Sequence, residues 1–180
     1  MTVQTAYEAG IGKALPGMPY DLTDHAVMSR IAQHTAIRYG AVVVQGDDEY
    51  SCRLPDAADL LGFGASGAVV QGISMREHIR EDSPFAALAA PLGNGQTSYV
   101  HEQDTVAIKT TGRIWVVAEV AVNQGEDVFY RHTQTGGTDL LGAIRNDADT
   151  ATATQINKAR FLTTAAAADD LVVVDLNALK

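Results

Sequence analysis

Apolar residues in this chain come in short, β-branched runs separated by glycine, proline and polar clusters, and no stretch sustains a helical period. From Ile37 the pattern is clear. Tyr39-Gly40 opens Ala41-Val42-Val43-Val44-Gln45, Gly46-Asp47-Asp48 makes a turn, and Tyr50-Ser51-Cys52-Arg53 returns, which predicts a hairpin. Further strands are expected at Val69 to Arg76, Thr105 to Lys109, Gly112 to Val122, Asp127 to Arg131, Gly142 to Arg145, Arg160 to Thr163 and Leu171 to Leu176. In the strongest of these, Ile114, Val116, Ala118 and Val120 share one face. Trp115 and Val117 are apolar on the other, so the strand is expected to be buried on both faces near its start. Asp24 to Gln33 fits either a capped helix or a strand, with strand preferred. Glycine stands just before a strand in both Ile37 to Val43 and Val122 to Val128, as at the corners of small barrels. The reading is an all-β sandwich or barrel.

Two segments stand apart from that pattern. Met1 to Tyr20, with Pro16-Gly17 and Pro19, has no period and reads as an extended arm, taken to about residue 30, of the kind that orders on binding. Residues 31–180 then form a single β domain with a long loop at 80–98, whose Ala-rich middle, like Pro55 to Leu61, suits a short helical turn. A chain of 180 residues has room for one such domain with arms, and its apolar share of 46% can build a core, a thin one because alanine supplies much of it.

Charge narrows the partners. Lys and Arg number 13 against 22 Asp and Glu, a net −9 that repels phosphate backbones and anionic lipid, so nucleic acid and membrane are not expected partners. The start MTVQTAYEAG has no basic region followed by an apolar stretch, no run is long enough to cross a bilayer, and no Asn-x-Ser/Thr sequon occurs. The protein is expected to fold in the cytoplasm where it is made.

Candidate chemistry fails on context. Gly62-Phe63-Gly64-Ala65-Ser66-Gly67 spells the dinucleotide string, but a helical turn precedes it and a strand follows, the reverse of the order that sets pyrophosphate on a helix N-terminus. His25, His34, His78, His101 and His132 are scattered without metal-ligand spacing, and His78 sits in the mixed-charge run Arg76 to Asp82, a solvated rim or an interface cluster. Asp47-Asp48-Glu49 and Asn146-Asp147-Ala148-Asp149 offer alternating carboxylates to calcium. Neither fits an EF-hand, and aspartate has its own reasons to occupy turns. Ser66 and Ser74 lack the flanking glycines of a nucleophile elbow, and Cys52 reads as a buried structural thiol. Trp115 reads as core before interface anchor. No catalytic, cofactor or metal residue is assigned.

Several phrases in order resemble the structural cement, or capsid decoration, proteins of tailed bacteriophages. They are Arg53-Leu54-Pro55, Val70 to His78, Asp104 to Ile108 with Thr111 to Val116, Gly125 to Arg131, Arg145 to Asp149, Ala159 to Thr163 and the closing Leu171 to Leu176. The similarity runs over residues 35–180 and is most specific in Gly112-Arg113-Ile114-Trp115-Val116 and Arg160-Phe161-Leu162-Thr163. The Ala-rich Pro84 to Ser98 and the acidic Asp47 to Glu49 depart from it. The resemblance implies a jelly-roll-like fold on the outer surface of an assembled virion capsid, a homo-oligomer (dimer or trimer), and a cement function that clamps major capsid protein subunits. It transfers no binding residue. Two rival readings are a phage tail or connector component, and a small-ligand or metal-dependent β-barrel enzyme whose scattered His and Asp would have to converge in one pocket.

Overall fold

A computed structural model describes residues 14–21, 25–56, 69–76, 99–100, 102–136 and 139–176. Among them, β1 (Ala26–Ala32), β3 (Val42–Gln45), β4 (Ser51–Arg53), β5 (Val70–Ser74) and β7 (Thr105–Thr111) form a closed barrel in the order β1-β4-β3-β5-β7. Antiparallel β3 and β4 are the expected hairpin, with Val44 opposite Arg53 and Gln45 opposite Cys52. β1 closes the ring, running antiparallel to β7 and parallel to β4. Closure leaves this five-stranded ring without an edge strand. β2 (Ile37–Arg38) and β6 (Tyr99–Val100) pair beside it.

A second sheet follows the order β10-β9-β11-β12-β8, from β8 (Arg113–Val117), β9 (Asp127–Arg131), β10 (Ile144–Arg145), β11 (Ala153–Phe161) and β12 (Leu171–Asp175). A parallel bridge between Ala118 and Ile144 ties the β8 end back to β10, so this sheet curls on itself. The all-β sandwich/barrel expectation holds, with the strands divided between two curled sheets.

Two cores result. Ala32, Ile37, Val43, Cys52, Val106 and Ile108 fill the barrel. Ile114, Val116, Tyr130, Ile156, Phe161, Val172 and Val174 fill the second sheet, and Val42 and Ile73 reach into that cluster from the barrel. The sheets are therefore packed into one body, with apolar burial as the common driving term.

Three expectations change. The preferred strand reading holds over Ala26–Ala32, but β1 takes Ala26 to Arg30 from the stretch assigned to the arm, because Met28 and Ala32 are needed inside the barrel. β8 is buried on one face only. Ile114 and Val116 are fully buried while Arg113, Trp115 and Val117 are half-buried, since only one face meets a sheet. β11 begins seven residues before the expected Arg160. The corner glycines do hold backbone with φ of +80° at Gly40 and +88° at Gly125. The helical turn at Pro55 to Leu61, the Gly62 to Gly67 string, His78, His101 and the 80–98 loop lie wholly or mostly outside the described residues.

Candidate interaction surfaces

The end of the arm is built into the fold. The Gly17 amide donates to the Trp115 carbonyl (2.8 Å), the Trp115 amide to Met18 (2.9 Å) and the Tyr20 amide to Arg113 (3.0 Å), so this segment runs as an added strand on the β8 edge that β12 leaves open. Side chains repeat the attachment. The Arg113 guanidinium bonds Asp21 at 2.9 Å and reaches Asp175 on β12 at 3.5 Å. The Tyr20 ring lies 5.7 Å from that of Trp115. Hydrogen bonds that it donates to Asp21 and then Asp175 hold the Arg113 guanidinium above its ordinary pKa. Trp115 is therefore a half-buried platform for the arm, which corrects its reading as core.

Pro16 and Gly17 are seated against the barrel as well. The Arg76 amide donates to the Gly17 carbonyl (2.9 Å), its Nε to the Pro16 carbonyl (3.3 Å), and its guanidinium stacks 5.0 Å from the Tyr39 ring centroid. A Cβ on Gly17 would stand 2.9 Å from the Arg76 amide nitrogen. The arm thus leaves from a point fixed by both sheets.

A second construction joins the loops around β9 and β10. Arg131, 3% exposed, bonds Glu119 (2.6 Å), Asp149 (2.6 Å) and Thr152 Oγ1 (3.0 Å). Arg145, nearly as buried, bonds Asp149 (2.6 Å), Asp147 (2.6 Å) and Glu119 (3.3 Å). Two guanidinia and four carboxylates, with Asp139 at 3.6 Å from Arg131, make one network. It closes over Asp149, Thr150 and Ala151, three successive residues with φ of 39°, 55° and 67°. Such backbone costs about 1–2 kcal/mol per non-glycine residue. It persists where its surroundings overdetermine it, as the network does here.

The network accounts for the Asn146 to Asp149 motif. Its carboxylates face arginines, and no set of three or more His, Cys, Asp or Glu able to hold a metal ion occurs among the described residues. Burial works to lower the Arg131 guanidinium, and hydrogen bonds to Glu119 and Asp149 outweigh it, holding it above its usual value. Hydrogen bonds from Arg131, then Thr152, hold the Asp149 carboxyl below the ordinary carboxylate range.

That last shift predicts an acid dependence. The stability from Asp149 is complete above its unfolded pKa of about 4 and is lost as pH falls through its lower folded value. Thermal melts across pH should be flat near neutrality and decline below about pH 4. Asp149→Asn, which tolerates the left-handed backbone, should melt lower at neutral pH with a shallower acid decline; an identical slope would remove Asp149 from the account.

The remaining candidates stay apart. Cys52 is fully buried in the barrel, where burial pushes its thiol up to about 12, as suits a structural residue. His34 bonds Asp47 at the surface (3.0 Å), His25 accepts from Lys109 Nζ (2.5 Å), and His132 is buried beside Thr133. Asp47 and Asp48 organise the β3–β4 turn with Gln33 and Ser51. Sequence reading missed the buried Lys109, Arg131 and Arg145. The available signal was a cation inside or ending an otherwise apolar strand, as in Thr105 to Thr111.

Comparison with known proteins decides what these surfaces belong to. The family described as structural cement protein (E217 gp24/Pam3 gp6) matches residues 3–177. The chain is a member of the phage structural cement family. Among solved structures, a chain from the capsid of Myoviridae phage XM1 shares the fold with a TM-score of 0.67 at 16% identity, covering 100% of both chains. No curated protein matches. The cement protein is thus a capsid-associated component of the virion, from a family that is structural. Among the described residues no helix is long and apolar enough to cross a membrane.

Proposed function

We propose that this cement protein binds the outer surface of the assembled capsid as a small homo-oligomer and bridges neighbouring major capsid protein subunits, with the N-terminal arm and the 80–98 loop as principal holding parts. The supporting observation is the arm root. Strand pairing to β8, the Arg113–Asp21 bond and the Gly17 seat tie the arm's end to both sheets, so tension on the arm is delivered to the whole body. Extended chain spans up to about 3.3–3.6 Å per residue, so the residues before Ala14 can reach a neighbouring subunit. Binding only the assembled lattice stabilises it by mass action, and many copies on one shell add their effects.

The test is the disruption temperature of capsids lacking this protein, measured alone, with the full chain and with a chain lacking residues 1–13. The full chain should raise it and the shortened chain should raise it much less. No increase with the full chain would refute cementing, and an equal increase with both would refute the role of the arm.

A further inference from the structure

One end of the barrel combines exposed apolar side chains with an acidic rim. Ile31 projects outward from β1 at 47% exposure, and Tyr50, 66% exposed, lies beside it, since the Ile31 amide donates to the Tyr50 carbonyl (2.9 Å). Next to them opens a groove of about 350 Å³ lined by Ile31, Gln33, His34, Asp48, Glu102 and Gln103. Asp47, Asp48 and Glu49 on the β3–β4 turn and Glu102 before β7 are exposed around it. His34, bonded to Asp47, is a weak counterweight.

The surface is preorganised. The Asp47 amide donates to Gln33 Oε1 (2.9 Å), Asp48 Oδ1 accepts from the Tyr50 amide (2.8 Å), the Gln103 amide donates to the Ala32 carbonyl (2.8 Å), and the Ala32 amide donates to the Asp104 carbonyl (2.9 Å). Both acidic turns are therefore hydrogen-bonded to the end of β1, and little conformational entropy is left to lose on docking. Exposed tyrosine and isoleucine beside a groove are the ingredients of an anchor site, and a single-sign rim selects a partner of opposite charge.

We infer that this acidic barrel end docks a segment of the shell protein that carries an apolar side chain flanked by Lys or Arg. The inference rests on the shell-binding reading and adds a second contact to it, separate from the arm. A sister copy is the poorer occupant. It carries the same net charge of −9, so whichever of its faces met this end, it would on average repel the carboxylates of Asp47 to Glu49.

The test uses the full-length protein and capsids lacking it, by cosedimentation across salt concentration. Tyr50→Ser and Glu49→Lys alter exposed side chains and should leave the melting temperature unchanged. Each should weaken capsid binding about tenfold or more, and Glu49→Lys should also flatten the salt dependence. Asn157→Lys, exposed on β11 in the second sheet, should bind as wild type does. Two outcomes overturn this docking site while leaving shell binding intact: both variants binding within twofold of wild type, or both keeping capsid affinity while their oligomer dissociates. Absence of wild-type binding would instead overturn the shell-binding reading, and this site with it.

Discussion

Arg131→Ala should lower the unfolding free energy by about 3 kcal/mol, the low end of the range for removing one partner of a buried ion pair. The guanidinium is 3% exposed, while its partners Glu119 and Asp149 are 19% and 35% exposed, so water reaches the abandoned carboxylates and softens their loss. Two effects then act together. Glu119 and Asp149 are left with Arg145 as their shared cation, Asp139 loses its neighbouring guanidinium, and the left-handed run Asp149 to Ala151 loses the Arg131 bond that helps hold it. Arg131→Lys keeps the charge but not the fork that bonds Glu119 and Asp149 at once, and should fall between alanine and wild type. Denaturant unfolding checks the ranking. A double-mutant cycle with Asp149→Asn should show coupling of more than about 1 kcal/mol. Additive effects would mean that the geometry carries no cooperative energy.

This network also shows where sequence reading stops. β3, β8 and β12 were legible because β-branched residues repeat along each, and the β3–β4 hairpin because Gly46-Asp47-Asp48 punctuates it. β11 was not. Its buried residues Ala153, Ile156, Ala159 and Phe161 recur nearly every third position, because a wide bulge separates Gln155, opposite Phe129, from Arg160, opposite Asp127. Inside that bulge Lys158 has φ of +66°, and a strand interrupted in this way presents no alternation to read. Trp115 was misplaced for a different reason. Its face is covered by Tyr20 and the arm, a pairing that joins residues ninety-odd positions apart and leaves no local pattern. The partners of Arg131 and Arg145 are likewise set by which loops the second sheet gathers at one end. The acidic turn at Asp47 to Glu49 was visible as sequence, but its closeness to Ile31 and Glu102 exists only once β1, β4 and β7 close the barrel.

Gly72→Ala should destabilise the barrel by about 3 kcal/mol, from overpacking together with backbone strain. The φ at Gly72 is +147°, and a Cβ built there would lie 2.2 Å from the Lys109 carbonyl oxygen and 2.9 Å from Ile108 Cγ2. The nearer obstacle is backbone, so no rotamer change relieves it. Neither strand can yield easily: Gly72 sits opposite Val43 on β3, and the next residues lock β5 to β7 through Ile73 with Lys109 and Ser74 with Ile108. Moving β7 would also disturb the buried Lys109 side chain, which donates to His25, and the β1 pairing that closes the barrel. Gly125→Ala separates the two causes. Its φ is +88°, yet nothing lies within 4 Å of the added Cβ, so it carries backbone strain alone and should cost about 1 kcal/mol. Thermal unfolding of both variants decides the matter. A Gly72→Ala protein no less stable than Gly125→Ala would show that β5 and β7 can part at this point, and that the barrel is held closed elsewhere.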